Sequence, residues 1–502
     1  MDFLDPKIER RNRTLLVLGY CLTALAIGLT TLVLLLLAYG YNLDKKGQVI
    51  YKGFVFVSSQ PSGATITLNG KKYGSPTNTR LNIAAGSYML QISKAGYRSW
   101  QRPVTVLGGD VQHFDYPFLF PTQLKTTSLG DLAASPSIAT QSPDKRWLLL
   151  GSASKPGTFL EYDLGNPAKP VQAEISLPDG SFTPGDGAQT WSLVEWSADS
   201  KDVLLLHTYV TAGVTDHEYV LFNRDTPTAS VNLTSTLGLT ADETLNLYNS
   251  KVDQFYIYNQ SAQTLRRVNA SDGSEVSRLE HVLAYKPYGS GQLLYVTDTS
   301  PTGKETTGGV SVVFQDGQKA VTLRSLPAAA PSYVLNLAQY SGDWYIAVAA
   351  SNDSAVYIYR NPQSETTSTA DTYPAPWRRL PLNHPSYLAF SNNTQFLLAE
   401  SGQDFYTYDF ENVAQYHYTA KQPLDTPQTH ATWMDGDRLL YVSGGKLLVF
   451  DYDYRNQQAL MPADPAYLPF FASNYSYLYS LTPGSGATVK PALTSTSLTA
   501  KP

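Results

Sequence analysis

The feature that most constrains this chain is an uncharged stretch near its N-terminus, from Thr14 to Tyr39. It holds 26 consecutive residues without a charged side chain, and its centre is almost entirely leucine, Leu32-Val33-Leu34-Leu35-Leu36-Leu37. About 20 apolar residues in an α-helix span the ~30 Å hydrocarbon core of a bilayer. The stretch therefore predicts one transmembrane helix over residues 14–39, with the residues that follow on one side of the membrane.

The charges that flank this stretch predict its orientation. Four basic residues precede it, and three follow it beside one acidic residue: Lys7, Arg10, Arg11 and Arg13, then Asp44, Lys45, Lys46 and Lys52. Because Lys and Arg stay preferentially in the cytoplasm, we expect a cytoplasmic N-terminus and an extracytoplasmic C-terminal bulk. The alternative is a signal peptide cleaved near Ala38-Tyr39-Gly40, but the apolar region of such a peptide is only ~7–15 residues long. The length favours an uncleaved signal anchor in the cell membrane.

Cysteine content and charge narrow the class of protein further. Cys21 is the only cysteine, so the extracytoplasmic part contains no disulfide, which is more typical of a bacterial or archaeal protein than of a eukaryotic secreted one. The net charge is −5, and residues 1–13 carry four basic and three acidic side chains, so the remainder carries about −6. An acidic chain without a basic stripe argues against nucleic-acid binding.

Short alternating strands and tight turns fill residues 53–120. Phe54-Val55-Phe56-Val57, Thr65-Ile66-Thr67-Leu68, Leu81-Asn82-Ile83 and the run from Tyr88 to Lys94 read as strands, and Val104-Thr105-Val106 and Phe114-Asp115-Tyr116 as the last ones. Asn69-Gly70 is a strong hairpin signal, because both residues tolerate a positive φ. The pattern predicts a small antiparallel β-domain.

This segment resembles the PEGA domain, a small β-sandwich of bacterial and archaeal surface proteins. The matching residues are Pro61, Gly63, Ala64, Leu68, Asn69, Gly70, Gly74, Pro76, Gly86, Tyr88 and Lys94-Ala95-Gly96-Tyr97. Two positions depart from the family pattern: Ser62 stands in the eponymous motif, and Ser75 precedes Pro76 where Thr is usual. The resemblance implies a spacer or binding module outside the membrane, and it carries over no catalytic residue.

The rest of the chain repeats one pattern, a polar turn followed by a strongly apolar strand. Eight such units begin near residues 142, 197, 250, 289, 341, 391, 434 and 473, roughly 40–55 residues apart, which is the length of a four-stranded propeller blade. The unit at Trp196-Ser197-Ala198-Asp199-Ser200-Lys201 resembles blades of TolB-type and tryptophan-aspartate-repeat propellers. We therefore expect seven or eight blades, with the strand around Leu124–Ser128 closing the ring against the last one.

Together these patterns predict a mainly β protein with an N-terminal transmembrane helix, a small PEGA-like β-sandwich and a seven- or eight-bladed β-propeller. The predicted segments are a cytoplasmic tail at 1–13, the signal anchor at 14–39, a linker at 40–52, the PEGA-like domain at 53–120, the propeller at 124–482, and a tail rich in Pro, Ser and Thr at 483–502. Whether this tail completes the last blade is left open.

Candidate chemical groups are few, and each has an ordinary structural explanation. His113 and Asp115 share one strand face, but two ligands are too few for a metal site. Asp216-His217-Glu218 reads as a polar surface loop, and Thr183-Pro184-Gly185-Asp186-Gly187 as a loop rather than a calcium site. Asp451-Tyr452-Asp453-Tyr454 combines aromatic rings and carboxylates as sugar-binding surfaces do, although packing between blades is favoured. We therefore assign no catalytic, cofactor-binding or metal-binding residue and expect no cofactor.

Three functions are compatible with this organisation. The favoured one is a non-catalytic envelope protein whose PEGA-like module and propeller bind another envelope component, either a protein or cell-wall polysaccharide. The second is a propeller-type lyase or hydrolase of carbohydrates, which needs carboxylates or histidines converging on the channel mouth. The third is a sensor ectodomain that acts through a separate membrane partner.

Overall fold

The computed structural model describes residues 6–38, 41–43, 49–152, 154–299, 309–326, 329–364, 373–425, 430–482 and 490–500. The chain divides into two compact units, which we call unit 1 (Met1–Gln123 with Thr499–Pro502) and unit 2 (Leu124–Leu498). β-Strands predominate in the described residues, which confirms the predicted fold class.

Helix α1, Pro6–Ala38, contains the uncharged stretch from Thr14 to Ala38, and Tyr39 lies outside the described residues. Its segment Arg13–Leu36 has a mean hydropathy of 2.1 and is not buried by any other part of the protein. Two of its hydroxyl side chains are satisfied within the helix, since Thr23 and Thr30 donate to the carbonyls four residues earlier at 2.9 and 2.8 Å. The helix is therefore long and apolar enough to serve as a membrane anchor or a signal sequence, and its orientation stays a prediction.

In its described residues, unit 1 contains two four-stranded sheets whose inner faces share one core. One sheet has the order β1-β2-β5 with β8 added parallel to β2, and the other has the order β4-β3-β6-β7. Val55, Ile66 and Trp100 are essentially buried in the core between them. The strands are β1 Tyr41–Leu43, β2 Val49–Val57, β3 Thr65–Leu68, β4 Lys71–Lys72, β5 Thr79–Ala84, β6 Gly86–Ser93, β7 Trp100–Val106 and β8 Val111–Phe114.

Two details of unit 1 test the sequence analysis. Asn69 and Gly70 have φ values of 50° and 78°, and they connect β3 to β4 as the predicted hairpin turn. The predicted last strand is partly wrong, because β8 ends at Phe114 and excludes Asp115 and Tyr116. Tyr116 lies beyond the end of the strand, where its ring packs edge-on against Trp100 and its hydroxyl accepts a hydrogen bond from Arg102 at 2.8 Å.

Unit 2 contains eight four-stranded antiparallel sheets in its described residues, numbered here sheets 1 to 8 in chain order of their first strands. Seven of them are formed by four consecutive strands. Sheets 1 to 4 contain β10 Ala139–Gln141, β11 Trp147–Gly151, β12 Thr158–Asp163 and β13 Val171–Ser176; β14 Gln189–Trp196, β15 Asp202–Thr211, β16 Val214–Asn223 and β17 Val231–Asn232; β18 Glu243–Tyr248, β19 Lys251–Asn259, β20 Thr264–Asn269 and β21 Glu275–Leu279; and β22 Val282–Tyr288, β23 Gln292–Thr297, β24 Val310–Asp316 and β25 Lys319–Leu326.

Sheets 5 to 7 repeat the same order, and sheet 8 takes its outer strand from the start of the unit. Their strands are β26 Tyr333–Tyr340, β27 Asp343–Ala350, β28 Val356–Arg360 and β29 Arg378–Leu380; β30 Tyr387–Phe390, β31 Phe396–Ser401, β32 Asp404–Asp409 and β33 Ala414–Thr419; β34 Thr432–Trp433, β35 Arg438–Ser443, β36 Lys446–Asp451 and β37 Gln458–Pro462; and β38 Phe470–Phe471, β39 Tyr477–Thr482, β40 Ala492–Ser497 and β9 Lys125–Asp131.

The pairing of β9 with β40 joins the two ends of unit 2. Lys125 pairs with Ser497 and Asp131 with Ala492, so the strand near Leu124 completes the last sheet as predicted. The first strands of neighbouring sheets lie close together; for example, β14 contacts β18, and β26 contacts β30. Within each of the first seven sheets, the strands are ordered outward from this first strand as they occur in the chain. This arrangement is that of a β-propeller, while the number of blades stays a prediction.

One turn recurs between the first and second strands of several sheets. Ser197 Oγ donates to Asp199 Oδ1 at 2.7 Å and accepts from Asp202 N at 2.9 Å, and the intervening Ser200 has a φ of 62°. Ser142 with Asp144 and Ser391 with Asn393 make the same bonds. The short polar side chains thus satisfy the turn backbone, which explains the repeated polar motif in the sequence.

In the described part of unit 2, two short 3₁₀ helices and one α-helix interrupt the strands: Pro227–Ala229, Pro362–Ser364 and α2, Leu233–Leu237. Helix α2 is only five residues long. Asn232 caps it by accepting a hydrogen bond from Ser235 N, and Gly238 ends it in the left-handed conformation with a φ of 62°.

Candidate functional site

The most unusual polar group in unit 2 is a buried histidine–glutamate pair in sheet 2. His207 lies on β15 and Glu218 lies directly opposite it on β16. The two side chains are 0% and 4% exposed, and His207 Nδ1 is 2.9 Å from Glu218 Oε1. A buried charge is tolerated only when it is paired and hydrogen-bonded, so this pair depends on the groups that surround it.

The other ring nitrogen of His207 also faces an acceptor. Its Nε2 is 3.1 Å from Gln189 Oε1, and Gln189 Nε2 donates to Gly185 O at 3.2 Å, which orients the amide oxygen toward the ring. Both ring nitrogens of His207 are therefore engaged by polar side chains of neighbouring strands. Trp191 stacks on the ring at a centroid distance of 4.1 Å and Tyr209 at 5.2 Å.

Glu218 is held by four donors. Its Oε1 accepts from His207 and from Thr183 N at 2.6 Å, and its Oε2 accepts from Thr183 Oγ1 at 2.9 Å and Asn232 Nδ2 at 2.7 Å. Burial raises the pKa of Glu218, but these hydrogen bonds outweigh it and leave the pKa below its usual value. A carboxylate with both oxygens doubly occupied is a structural anchor rather than a reacting group.

A pocket of about 300 Å³ opens beside this anchor. It forms because the outer strand β17 pairs only with Val220 and Leu221, which leaves the first half of β16 without a strand neighbour along that edge. Helix α2 and the segment Leu239–Ala241 flank the gap. Thr183, Glu218 and Asn232 contribute to the lining together with Tyr209, Asp216 and Thr234. The pocket is therefore a consequence of one shortened strand.

These positions correct the sequence analysis. Asp216-His217-Glu218 does not form a loop; all three residues lie within β16, and Glu218 is buried. The error arose because three polar residues in a row resemble a turn, whereas here one of them has its buried partner on the adjacent strand. His207 was missed altogether, although a histidine at the end of the apolar run Val203–Leu206 is a signal that could have identified it.

The segment Thr183–Gly187 is a loop, as predicted. Thr183 supplies two of the hydrogen bonds to Glu218, and Asp186 Oδ2 accepts from Ala212 N at 2.9 Å. The loop is therefore tied to sheet 2 by side-chain bonds, which the sequence did not indicate.

A second histidine–carboxylate pair bridges sheets 6 and 7. His430 Nδ1 is 3.0 Å from Glu400 Oε1, and Glu400 Oε2 accepts from Ala431 N at 3.0 Å. Burial raises the pKa of Glu400, and the bond from His430 opposes that rise. The His430 ring is stacked parallel on Tyr387 at 4.1 Å, and its side chain remains 32% exposed. A partly exposed imidazole that is oriented by a buried carboxylate is chemically able to act as a general acid or base toward a ligand.

The remaining candidates do not assemble into sites. His113 Nδ1 and Asp115 Oδ2 are 3.5 Å apart, and both side chains are largely exposed. Within the described residues, no group of three or more His, Cys, Asp or Glu side chains is placed to hold a metal ion.

The aromatic–carboxylate run in sheet 7 packs internally. Asp451 and Tyr452 are buried, and the Tyr452 ring stacks on Phe396 of sheet 6 at 4.3 Å. Tyr454 stacks on Tyr418 at 4.7 Å, also across the two sheets. The geometry agrees with packing between sheets, the interpretation that the sequence favoured over sugar stacking.

Comparison with known proteins assigns a family to part of the chain. Residues 52–119 match the PEGA domain family, which agrees with the residues and turns of unit 1. No curated protein matches the chain.

Several solved structures are similar to the chain at low identity. Oligogalacturonate lyase in complex with manganese is 11% identical, with a TM-score of 0.39 over 75% of this chain and 98% of that one. Dihydro-heme d1 dehydrogenase NirN is 15% identical, with a TM-score of 0.39 over 66% of each chain. Kluyveromyces lactis Hsv2 is 10% identical, with a TM-score of 0.33 over 60% of this chain and 95% of that one. At such low similarity, the fold of unit 2 rests on its own strand order.

Proposed function

We propose that this protein is a single-pass, membrane-anchored envelope protein whose extracytoplasmic part binds another envelope component without catalysing a reaction. The observation that supports it most is the chain order: an unburied apolar segment, Arg13–Leu36, precedes a segment that matches the PEGA family. PEGA domains are of an extracellular type, so the charges around the helix and the nature of the next domain favour the same orientation.

Membrane attachment and orientation are tested together in intact cells. The full-length protein with a C-terminal tag is expected to stay with membranes after alkaline carbonate extraction and to be digested by protease added outside the cytoplasmic membrane. Replacing both Leu34 and Leu35 by Arg should abolish anchoring, because charges at the centre of a span are costly, whereas replacing both by Val should not. A shortened, soluble wild-type protein would refute the anchor and identify the helix as a signal sequence.

Binding to the envelope is tested by co-sedimentation of the detergent-solubilised full-length protein with isolated cell-wall sacculi. A pellet that resists high salt would support polysaccharide as the partner, since screening removes weak charge-driven adsorption. Protein that remains in the supernatant but crosslinks to an envelope protein in intact cells would support a protein partner. The proposed binding role would be contradicted if the protein neither sediments with sacculi nor crosslinks to an envelope protein.

The enzymatic alternative is favoured by one observation, the partly exposed His430 that is oriented by Glu400 and stacked on Tyr387. A carbohydrate-active enzyme would use such an imidazole as a general acid or base. New reducing ends released from cell-wall glycan by wild-type protein, and lost in His430→Gln, would support catalysis. Equal release by both proteins, or none, would count against it.

Two finer assignments also remain proposals. A sensor role requires a separate membrane partner, and crosslinking in intact cells that recovers no integral membrane protein would contradict it. The resemblance of the turn Trp196–Lys201 to TolB-type and tryptophan-aspartate-repeat blades is supported by the recurrent serine–aspartate turn.

A further inference from the structure

We propose that the pocket beside β16 binds a single unit of a neutral glycan through Tyr209 and Asp216. The inference rests on the proposed envelope-binding function and names the ligand class of one site. The pocket is about 300 Å³, the lower end of the range for small-molecule sites. A space of this size accommodates one sugar ring rather than an extended chain.

The groups that line the pocket provide both donors and acceptors for a polyhydroxylated ligand. Among the described residues, no hydrogen bond engages the Tyr209 hydroxyl, Asp216 Oδ2 or the ring nitrogens of His217. Thr234 Oγ1 accepts from Tyr219 N at 2.8 Å, which leaves its own hydrogen free to donate. Sugar hydroxyls both donate and accept, so a mixed set of this kind suits them.

The charge of the lining argues against anionic ligands. No lysine or arginine is among the lining residues, and the exposed Asp216 forms no ion pair within the described residues. Both oxygens of Glu218 are already occupied by hydrogen bonds within the protein. A uronate, phosphate or sulfate would therefore meet an unneutralised carboxylate, whereas a neutral sugar would offer hydroxyls that donate to it.

The pocket floor is held in place before any ligand arrives. Glu218 ties Thr183, Asn232 and His207 together, and Asn232 also caps α2. Tyr209 stacks against the His207 ring, which restricts its orientation. Binding to such a site therefore requires little ordering of the protein. In this proposal the His207–Glu218 pair pre-organises the pocket as well as stabilising the fold.

The test measures binding of four neutral tetrasaccharides, chitotetraose, cellotetraose, maltotetraose and mannotetraose, to the detergent-solubilised full-length protein by saturation-transfer NMR and calorimetry. At least one should bind, and tetragalacturonate should not. Asp216→Asn and Tyr209→Phe should each weaken binding about tenfold or more, because the first replaces a charged acceptor oxygen with an amide NH2 and the second removes a hydroxyl. Asp179→Asn and Tyr373→Phe, which alter exposed residues outside the pocket, should leave the affinity unchanged.

Several outcomes would overturn the inference: no binding by any neutral tetrasaccharide, equal or tighter binding of tetragalacturonate, preference for the amine-bearing chitosan tetramer, or unchanged affinity in both pocket variants. Circular dichroism and unfolding curves matching wild type establish that a variant is folded.

Sacculus co-sedimentation distinguishes failure of the pocket proposal from failure of the proposed envelope-binding function. If wild type and Asp216→Asn pellet equally, envelope binding stands and the pocket is not its site; if wild type itself neither pellets nor crosslinks, the proposed function fails.

Discussion

The indole Nε1 of Trp196 donates a hydrogen bond to Thr140 Oγ1 at 2.9 Å, and the two residues lie on the first strands of adjacent sheets. Both are buried. The same position at the end of a first strand also joins sheets elsewhere: Trp433 Nε1 donates to Ala389 O at 3.1 Å, and Gln141 Nε2 donates to Phe471 O at 2.9 Å. Seven of the eight first strands end in an aromatic residue: Trp196, Tyr248, Tyr288, Tyr340, Phe390, Trp433 and Phe471. These side chains help to couple neighbouring sheets.

Thr140→Val should destabilise unit 2 by ~1–3 kcal/mol, because the shape is preserved but the buried indole N–H of Trp196 loses its acceptor. Thr140→Ser keeps an oxygen at that place and should cost less. Urea unfolding followed by tryptophan fluorescence measures both. Equal stabilities for Thr140→Val and wild type would show that the bond between the sheets contributes nothing.

Glu218→Gln should destabilise the protein near neutral pH, because an amide has one oxygen and leaves two of the four buried donors without an acceptor, at ~1–3 kcal/mol each. The pKa of Glu218 is lowered in the folded protein, so the carboxylate stabilises the fold above its ordinary pKa of 4.5. That contribution is lost as the pH falls below 4.5 and the group is protonated. The gap between wild type and variant in unfolding free energy should therefore narrow at low pH, whereas the exposed control Glu174→Gln should show no gap at any pH.

Asp437→Asn should stabilise the protein at alkaline pH. Burial, together with the nearby Asp435, Asp451 and Asp409, raises the pKa of Asp437 to about 7 against the opposing effect of Arg438. The folded state thus favours the protonated acid, and stability declines as the pH rises from 3.8 toward 7. The variant should exceed wild type by on the order of 1–3 kcal/mol above pH 7 and match it near pH 3.8. Thermal unfolding of wild type and Asp437→Asn across this pH range tests the prediction, with Asp179→Asn as the control. A stability difference between wild type and Asp437→Asn that does not change with pH would contradict the raised pKa of Asp437.

Removal of residues 490–502 should open the ring at sheet 8, because β40 pairs with both β39 and β9 and buries Leu493. The truncated protein should be cleaved by protease within Tyr477–Thr482 under conditions in which wild type resists. A peptide of residues 490–502 added in excess should restore resistance, and a scrambled peptide should not. Resistance of the truncated protein without any peptide would mean that the strand is dispensable for closure.

Local patterns of the chain predicted much of the architecture. Period-two alternation and Asn69-Gly70 identified the strands and hairpin of unit 1, because side-chain direction and turn conformation depend on neighbouring residues. The repeated polar turns identified the sheets of unit 2 for the same reason. The last strand of unit 1 was predicted to extend too far toward the C-terminus. The position of Tyr116 is set by its contacts with Trp100 and Arg102, which lie more than ten residues away in the sequence.

The candidate site was the least predictable part of the molecule. His207 and Glu218 are eleven residues apart and meet because β15 and β16 pair in one register. Shifting that register by one residue would move Glu218 to the other face of the sheet. The pocket further depends on β17 being only two residues long, and the end of a strand is a feature that local sequence indicates poorly.

By itself, the sequence determined that this chain carries a membrane-length apolar helix, a PEGA-type module and a repeated β-architecture, because length, apolar content and turn residues act over a few neighbours. Tertiary structure alone decided which polar residues are buried together, where an exposed edge leaves a pocket, and which of the histidines contact carboxylates. Those outcomes depend on register and on contacts between sheets, where hydrogen bonds join residues such as Thr140 and Trp196 that lie 56 positions apart.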